Sequence, residues 1–101
     1  LGYTESAGHP LLREEIAKLY TGMKPDNILV VSGPEEGIFI TCNNILEPGD
    51  HIITTWPAYQ SLYEIANAIG CEVTKWHLDE KNNWAPNLNL LEKHIRSNTK
   101  M

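Results

Sequence analysis

Apolar positions along the chain fall into short periods separated by breaks bearing glycine or proline. Residues 1–9 are polar and glycine-punctuated. Pro10 suits the first turn of a helix. From there Leu12, Ile16, Leu19, Tyr20 and Met23 recur at helical spacing, with Arg13, Glu14, Glu15 and Lys18 on the other face. The spacing predicts an amphipathic helix ending at Gly22, then a polar turn over 24–27. An apolar, β-rich run over 28–31 stops at Ser32-Gly33-Pro34 and predicts a first strand. Ile38, Cys42, Ile45 and Leu46 predict a helix, broken by Pro48-Gly49-Asp50. A second β run, 51–55, ends at Trp56-Pro57-Ala58-Tyr59. Leu62, Ile65, Ala66 and Ile69 predict another helix, with Gly70 where a C-cap glycine belongs. Residues 71–78 read as a strand, and 79–86 as a polar loop carrying Trp84. A last helix starts near Asn87 or Asn89 and turns Leu88, Leu91 and Ile95 inward. Residues 97–101 follow with no closing element. Strands alternate with helices, so the fold class is α/β, with mainly parallel pairing.

This pattern places a glycine turn between a strand and a helix start. The N–H groups and the positive dipole end of such a helix point at an anion, so Gly33 marks a candidate phosphate site. Tyr59, just past a strand end where α/β sites form, is placed to stack on a planar ring; the bland reading is an ordinary core aromatic, as for Trp56 and Tyr63. A phosphate and a flat ring together suggest a phosphorylated aromatic cofactor. Gly33 could simply turn the chain, and Glu35 and Glu36 most simply complement the helix dipole. Pro34 has no N–H and removes one donor from the turn.

Composition adds exclusions. At 101 residues the chain is one domain at most. A net charge of −5 with eight scattered Lys and Arg residues argues against a nucleic-acid footprint. No apolar run has the length to span a membrane. Cys42 and Cys71 lack metal or redox spacing and read as buried free thiols of a cytoplasmic protein, rather than a disulfide. His9, His51, His77 and His94 lack ligand spacing and read as surface or structural groups, while Trp76 and Trp84 read as packing residues. The first residue is Leu1 rather than Met, so a native start upstream is expected.

Four stretches, in order, carry a resemblance: LGYTESAGHPLLREEIAKLY, PDNILVVSGPEEGIF, LEPGDHIITTWPAYQSLYEIANAIGCEV, and a short helix ending NTK. Together they resemble part of the large domain of the fold-type I pyridoxal-phosphate enzymes, in the class I/II aminotransferase group, which implies a three-layer α/β/α fold with a mainly parallel sheet. The resemblance implies roles. Gly33, Pro34 and Glu35 match the turn that holds the cofactor phosphate. Tyr59 matches the aromatic stacked on the pyridine ring. Tyr3 matches a tyrosine that reaches the phosphate of the neighbouring subunit, which implies a homodimer with shared sites. Gly8 and Arg13 match a stretch that looks structural. The cofactor implied is pyridoxal 5'-phosphate, and the substrates are an amino acid and a 2-keto acid.

The resemblance also implies that residues 1–101 are a fragment of the cofactor-binding domain. The Schiff-base lysine, the acid that pairs the pyridinium nitrogen and the substrate-binding arginine are expected beyond Met101, so the fragment alone is expected to be inactive. The same scaffold hosts C–S lyases, cyclising synthases and oxidases. A small non-catalytic phosphate-binding or interaction module is the reading from a different class. The family's sheet order predicts that 51–55 and 72–76 pair in parallel through the helix 58–69. It predicts that 28–31 stays apart from them.

Overall fold

The structure is a computed structural model and describes residues 2–101; Leu1, the first residue of the expected terminal loop, lies outside the described residues. The chain divides into two compact units, Leu1–Gly37 and Ile38–Met101.

In the first unit, helix α1 spans Pro10–Ala17. His9 caps it, its Nδ1 accepting the Leu11 N–H at 3.3 Å, and Pro10 occupies the first turn as expected. The helix stops well before Gly22. The N–H groups of Leu19 and Tyr20 turn to carbonyls three residues back, Ile16 at 3.0 Å and Ala17 at 3.2 Å, which tightens the chain out of the α-helical ladder. Leu19, Tyr20 and Met23, expected on the inner helix face, therefore lie beyond the helix and are exposed, as is Leu12. The buried residues of α1 are Arg13 and Ala17, so Arg13 sits inward rather than on the solvent face.

A 3-10 turn, Pro25–Asn27, follows. The expected strand over 28–31 forms no ladder; its Val30 N–H donates instead to the Ala7 carbonyl at 2.9 Å. β-branched residues make the run extended, but a strand also needs a partner, and the sheet consists of other residues. Helix α2, Pro34–Ile45, begins directly after Gly33.

The second unit is α/β. Strands β1, His51–Trp56, and β2, Glu72–His77, pair in parallel from His51↔Glu72 to Trp56↔His77, as expected for 51–55 and 72–76. Helix α3, Ser61–Ile69, connects them and starts three residues later than expected. Gly70 ends it in the left-handed region at φ 97°, the cap its position predicted. Ile52 and Val73 lie opposite each other and face a core of Cys42, Leu46, Ala66 and Cys71, with Ile38, Ile65 and Ile69 packed around it. Side chains alternate along a strand, so His51 and Thr74 face the opposite side. Helix α4, Leu88–His94, packs against β2; Asn87 caps it, accepting the Leu90 N–H at 3.2 Å. Leu88 and Ile95, expected inward, are exposed; Leu88 is the first residue of α4, and Ile95 lies past its end in extended backbone. Trp84, expected to pack, is also exposed, in a loop where its own φ is 60°.

Residues 98–101 were expected to close nothing, yet they lie along β1. The His51 N–H donates to Asn98 O at 2.9 Å, Lys100 N–H to His51 O at 2.8 Å, and Ile53 N–H to Met101 O at 3.0 Å. Strand β1 therefore has a hydrogen-bonded neighbour on each side. Between these elements His51 is fully buried, with Nδ1 2.7 Å from Thr99 Oγ1 and Nε2 2.7 Å from Thr74 Oγ1. Cys42 and Cys71 are free and buried as expected, and burial pushes both thiols above their ordinary value. Among the described residues no helix is long and apolar enough to cross a membrane.

Candidate cofactor site

Gly33, Pro34 and Glu35 come together where α2 begins. Pro34 is its first residue, and the Gly37 N–H donates to the Gly33 carbonyl at 3.3 Å, starting the helical ladder. The backbone donors of this start are the N–H groups of Gly33, Glu35 and Glu36, because proline has none. The Glu36 carboxylate folds back and accepts the Ser32 N–H at 2.6 Å. That bond, with a second from the Ser32 side chain, holds the Glu36 carboxyl below its ordinary value.

Gly33 itself is the informative residue. Its φ lies outside the left-handed region, and a Cβ built on it would meet nothing within 4 Å. Gly8 and Gly70 differ, since each has a positive φ. Nothing among the described residues therefore requires glycine at position 33. The turn is open, backbone-lined, and set at the positive end of a 12-residue helix, and these features fit a phosphate group. Two acidic side chains in the first turn work against an anion there. The folding of Glu36 onto Ser32 turns one of them to another partner.

Tyr3 lies in the N-terminal loop of the same unit and is fully exposed. Tyr59 belongs to the second unit, in the loop after β1; its carbonyl accepts the Leu62 N–H at 3.1 Å at the start of α3. The residue is 67% exposed and is not packed into the core of the second unit. Trp56 and Tyr63 are the packed pair, edge to face with centroids 5.4 Å apart, and Lys75 Nζ sits 3.7 Å above the Trp56 ring. The peptide bond between Trp56 and Pro57 is cis.

The sequence reading missed two polar clusters. Arg13 makes three bonds, to Glu5, Asp26 and the Pro25 carbonyl, and no apolar period could reveal them. His51 bridges two threonines that are distant in sequence. Its position at a strand start was a weak signal at most.

The parallel β-α-β unit of β1, α3 and β2 defines the class as an α/β protein. Comparison with known proteins makes this specific. The chain belongs to the aminotransferase class I and II family, which it matches over residues 1–101. Members of that family depend on pyridoxal phosphate. An aspartate aminotransferase of Pyrococcus horikoshii is 33% identical over 98% of this chain and 27% of its own length. An LL-diaminopimelate aminotransferase of Dehalococcoides mccartyi is 36% identical over the same shares, 98% and 27%. A crystal structure of a PLP-dependent aminotransferase from Streptococcus suis superposes with a TM-score of 0.92 at 38% identity, covering 98% of this chain and 26% of that one. The chain thus spans about a quarter of the length of these relatives.

Proposed function

We propose that residues 1–101 form part of the cofactor-binding large domain of a pyridoxal-phosphate-dependent aminotransferase. The whole protein moves an amino group between an amino acid and a 2-keto acid. The observation that carries this reading is the family match along the entire chain. The exposed apolar side chains of Leu11, Leu12, Leu19, Tyr20, Met23 and Leu29 support a longer native protein that covers them.

When bound, pyridoxal phosphate supplies the electron sink that lets an amino acid lose its α-proton. The residues of this chain hold and orient it. The turn Gly33-Pro34-Glu35 receives the phosphate through its backbone N–H groups, and the missing Cβ at Gly33 lets the phosphate approach the main chain. Tyr59 stacks its exposed ring on the pyridine. Tyr3 donates its hydroxyl to the phosphate held by a second copy, which makes the enzyme a homodimer. The free, buried thiols support a cytoplasmic setting. The proton-transferring lysine, the acid at the pyridinium nitrogen and the substrate-binding arginine belong to other parts of the protein.

The relatives act on different amino acids by name, aspartate and LL-diaminopimelate among them, so the donor is found by screening. The test is the whole protein purified with pyridoxal phosphate and offered a panel of amino donors with 2-oxoglutarate or pyruvate. Formation of a new amino acid and a new keto acid in equal amounts is expected. Bound cofactor with no amino transfer from any donor would overturn the reaction, and failure to retain cofactor would overturn the site.

A further inference from the structure

Arg13 is a charged side chain buried within the first unit, yet both its acidic partners lie at the surface. Its Nη1 donates to Glu5 Oε2 at 2.9 Å, its Nη2 to Asp26 Oδ1 at 3.0 Å, and its Nε to the Pro25 carbonyl at 3.0 Å. One planar guanidinium thus joins the N-terminal loop, helix α1 and the 25–27 turn. The bond from Nε fixes the plane, and the plane fixes where Nη1 presents to Glu5. A lysine ammonium on a flexible stem cannot hold these three directions together.

Glu5 is two residues from Tyr3. The Glu5 carbonyl also accepts the Gly8 N–H at 2.9 Å, and the Ala7 carbonyl accepts the Val30 N–H at 2.9 Å. The loop is therefore fastened at two points. The main chain of residues 7 and 8 is set on Val30, whose segment runs on to Gly33. The side chain of Glu5 is set on Arg13. Only the second fastening lies close to Tyr3, whose own ring is fully exposed.

We infer that Arg13, acting through Glu5, is a positioning residue for Tyr3. It sets the direction in which the Tyr3 hydroxyl is offered to the cofactor phosphate of the partner subunit. This rests on the reading of Tyr3 given above. Arg13 and Glu5 themselves touch no ligand, and their influence on the cofactor passes through the Tyr3 hydroxyl.

The experiment uses the whole dimeric protein and measures the affinity of the cofactor-free enzyme for pyridoxal phosphate and for pyridoxal, by absorbance titration, together with the melting temperature. The variants are Glu5→Ala, Tyr3→Phe and the double variant, with Arg13→Lys as a second probe of the clamp. Loss of one hydrogen bond to the phosphate is expected to weaken pyridoxal phosphate about three- to tenfold in Tyr3→Phe, with Glu5→Ala falling within that range. In the double variant the two losses should not add, and pyridoxal, which has no phosphate, should bind all four proteins alike. Arg13→Lys should behave as Glu5→Ala if it folds. If Tyr3→Phe weakens pyridoxal phosphate and Glu5→Ala does not, the positioning role is wrong and the reading of Tyr3 stands. Additive losses, or equal loss of pyridoxal, show that Glu5 acts by general loosening and also overturn it. An unchanged affinity in Tyr3→Phe removes the reading of Tyr3, and the inference with it.

Discussion

Gly8 is the position where the smallest substitution should have a large local effect. Its φ is +101°, and a Cβ there would lie 2.6 Å from Val30 Cβ and 2.7 Å from Val30 Cγ2. Gly8→Ala meets two separate penalties. Holding an L-residue in the left-handed region costs about 1–2 kcal/mol. Forcing a methyl into occupied space costs about 1–3 kcal/mol. The overlap can be relieved by lifting the loop from the 28–31 segment. That sacrifices the bond from Val30 N–H to the Ala7 carbonyl, whose net worth is about 1 kcal/mol. Losing the bond is no dearer than keeping the overlap, so the loop should lift. The expected total is about 2–3 kcal/mol, the sum of the backbone term and the cheaper steric escape.

Native-state hydrogen exchange at Val30 in the whole protein measures this locally, because its amide is the one released. The closest atom is the Val30 Cβ, which every residue except glycine carries. Val30→Ala should therefore fail to rescue Gly8→Ala, whereas Val30→Gly should recover the steric part and leave the backbone part. A Gly8→Ala protein within about 0.5 kcal/mol of the parent would refute the reasoning. So would full rescue by Val30→Ala.

Three further outcomes are expected. His51 is held neutral chiefly by burial and then by the nearby Arg96 charge, with its titration moved below the ordinary 6.5. The sign follows from linkage: the unfolded chain binds the proton more readily. The contribution of His51 to stability is therefore whole above about pH 6.5 and is lost as the pH falls through the lowered folded value. Unfolding measured from pH 8 to 5 should show a fall that His51→Gln flattens, and an identical profile would contradict it. Gly33→Ala should fold with stability changed by no more than about 0.5 kcal/mol, since no atom lies within 4 Å of the new methyl, yet should bind pyridoxal phosphate more weakly. Unchanged cofactor affinity would remove Gly33 from the phosphate site. Tyr59→Ala should weaken the cofactor by about fivefold, for a stacking contact worth about 1 kcal/mol, while Tyr59→Phe retains it; equal affinities in both variants would exclude stacking.

Much of the second unit was legible because its elements obey one period each. Leu62, Ile65, Ala66 and Ile69 mark α3, and Gly70 ends it in the conformation its position implied. The register of β1 on β2 follows from Ile52 and Val73 facing the same core. The first unit was less legible. Leu19, Tyr20 and Met23 keep the helical spacing of the preceding residues, and spacing alone cannot show where bonds shift from four residues back to three. Residues 28–31 have the composition of a strand, but pairing belongs to whatever lies beside them. Asn98, Thr99 and Lys100 show no apolar alternation, because main-chain bonds and the polar side chains of Asn98 and Thr99 seat them beside β1. The open turn at Gly33 was read from its place between an extended run and a helix. Its freedom from any steric need for glycine is visible only in three dimensions.

The attachment of residues 98–101 to β1 has a consequence for the order in which contacts form. His51 pairs with Glu72 across 21 positions, the difference of their numbers, and reaches Thr99 across 48. Loop-closure entropy grows only logarithmically, so a bit more than one doubling of the span adds only about 0.7 kcal/mol. Distance along the chain is thus a minor obstacle. The stronger difference is in what each closure secures: β2 brings a full six-residue register, while residues 98–101 bring three main-chain bonds and the side-chain bonds of Asn98 to Gly49 and of Thr99 to the His51 imidazole. Residues 98–101 should dock on β1 after β2 does and leave it first, with His51 recording their departure by becoming free to titrate.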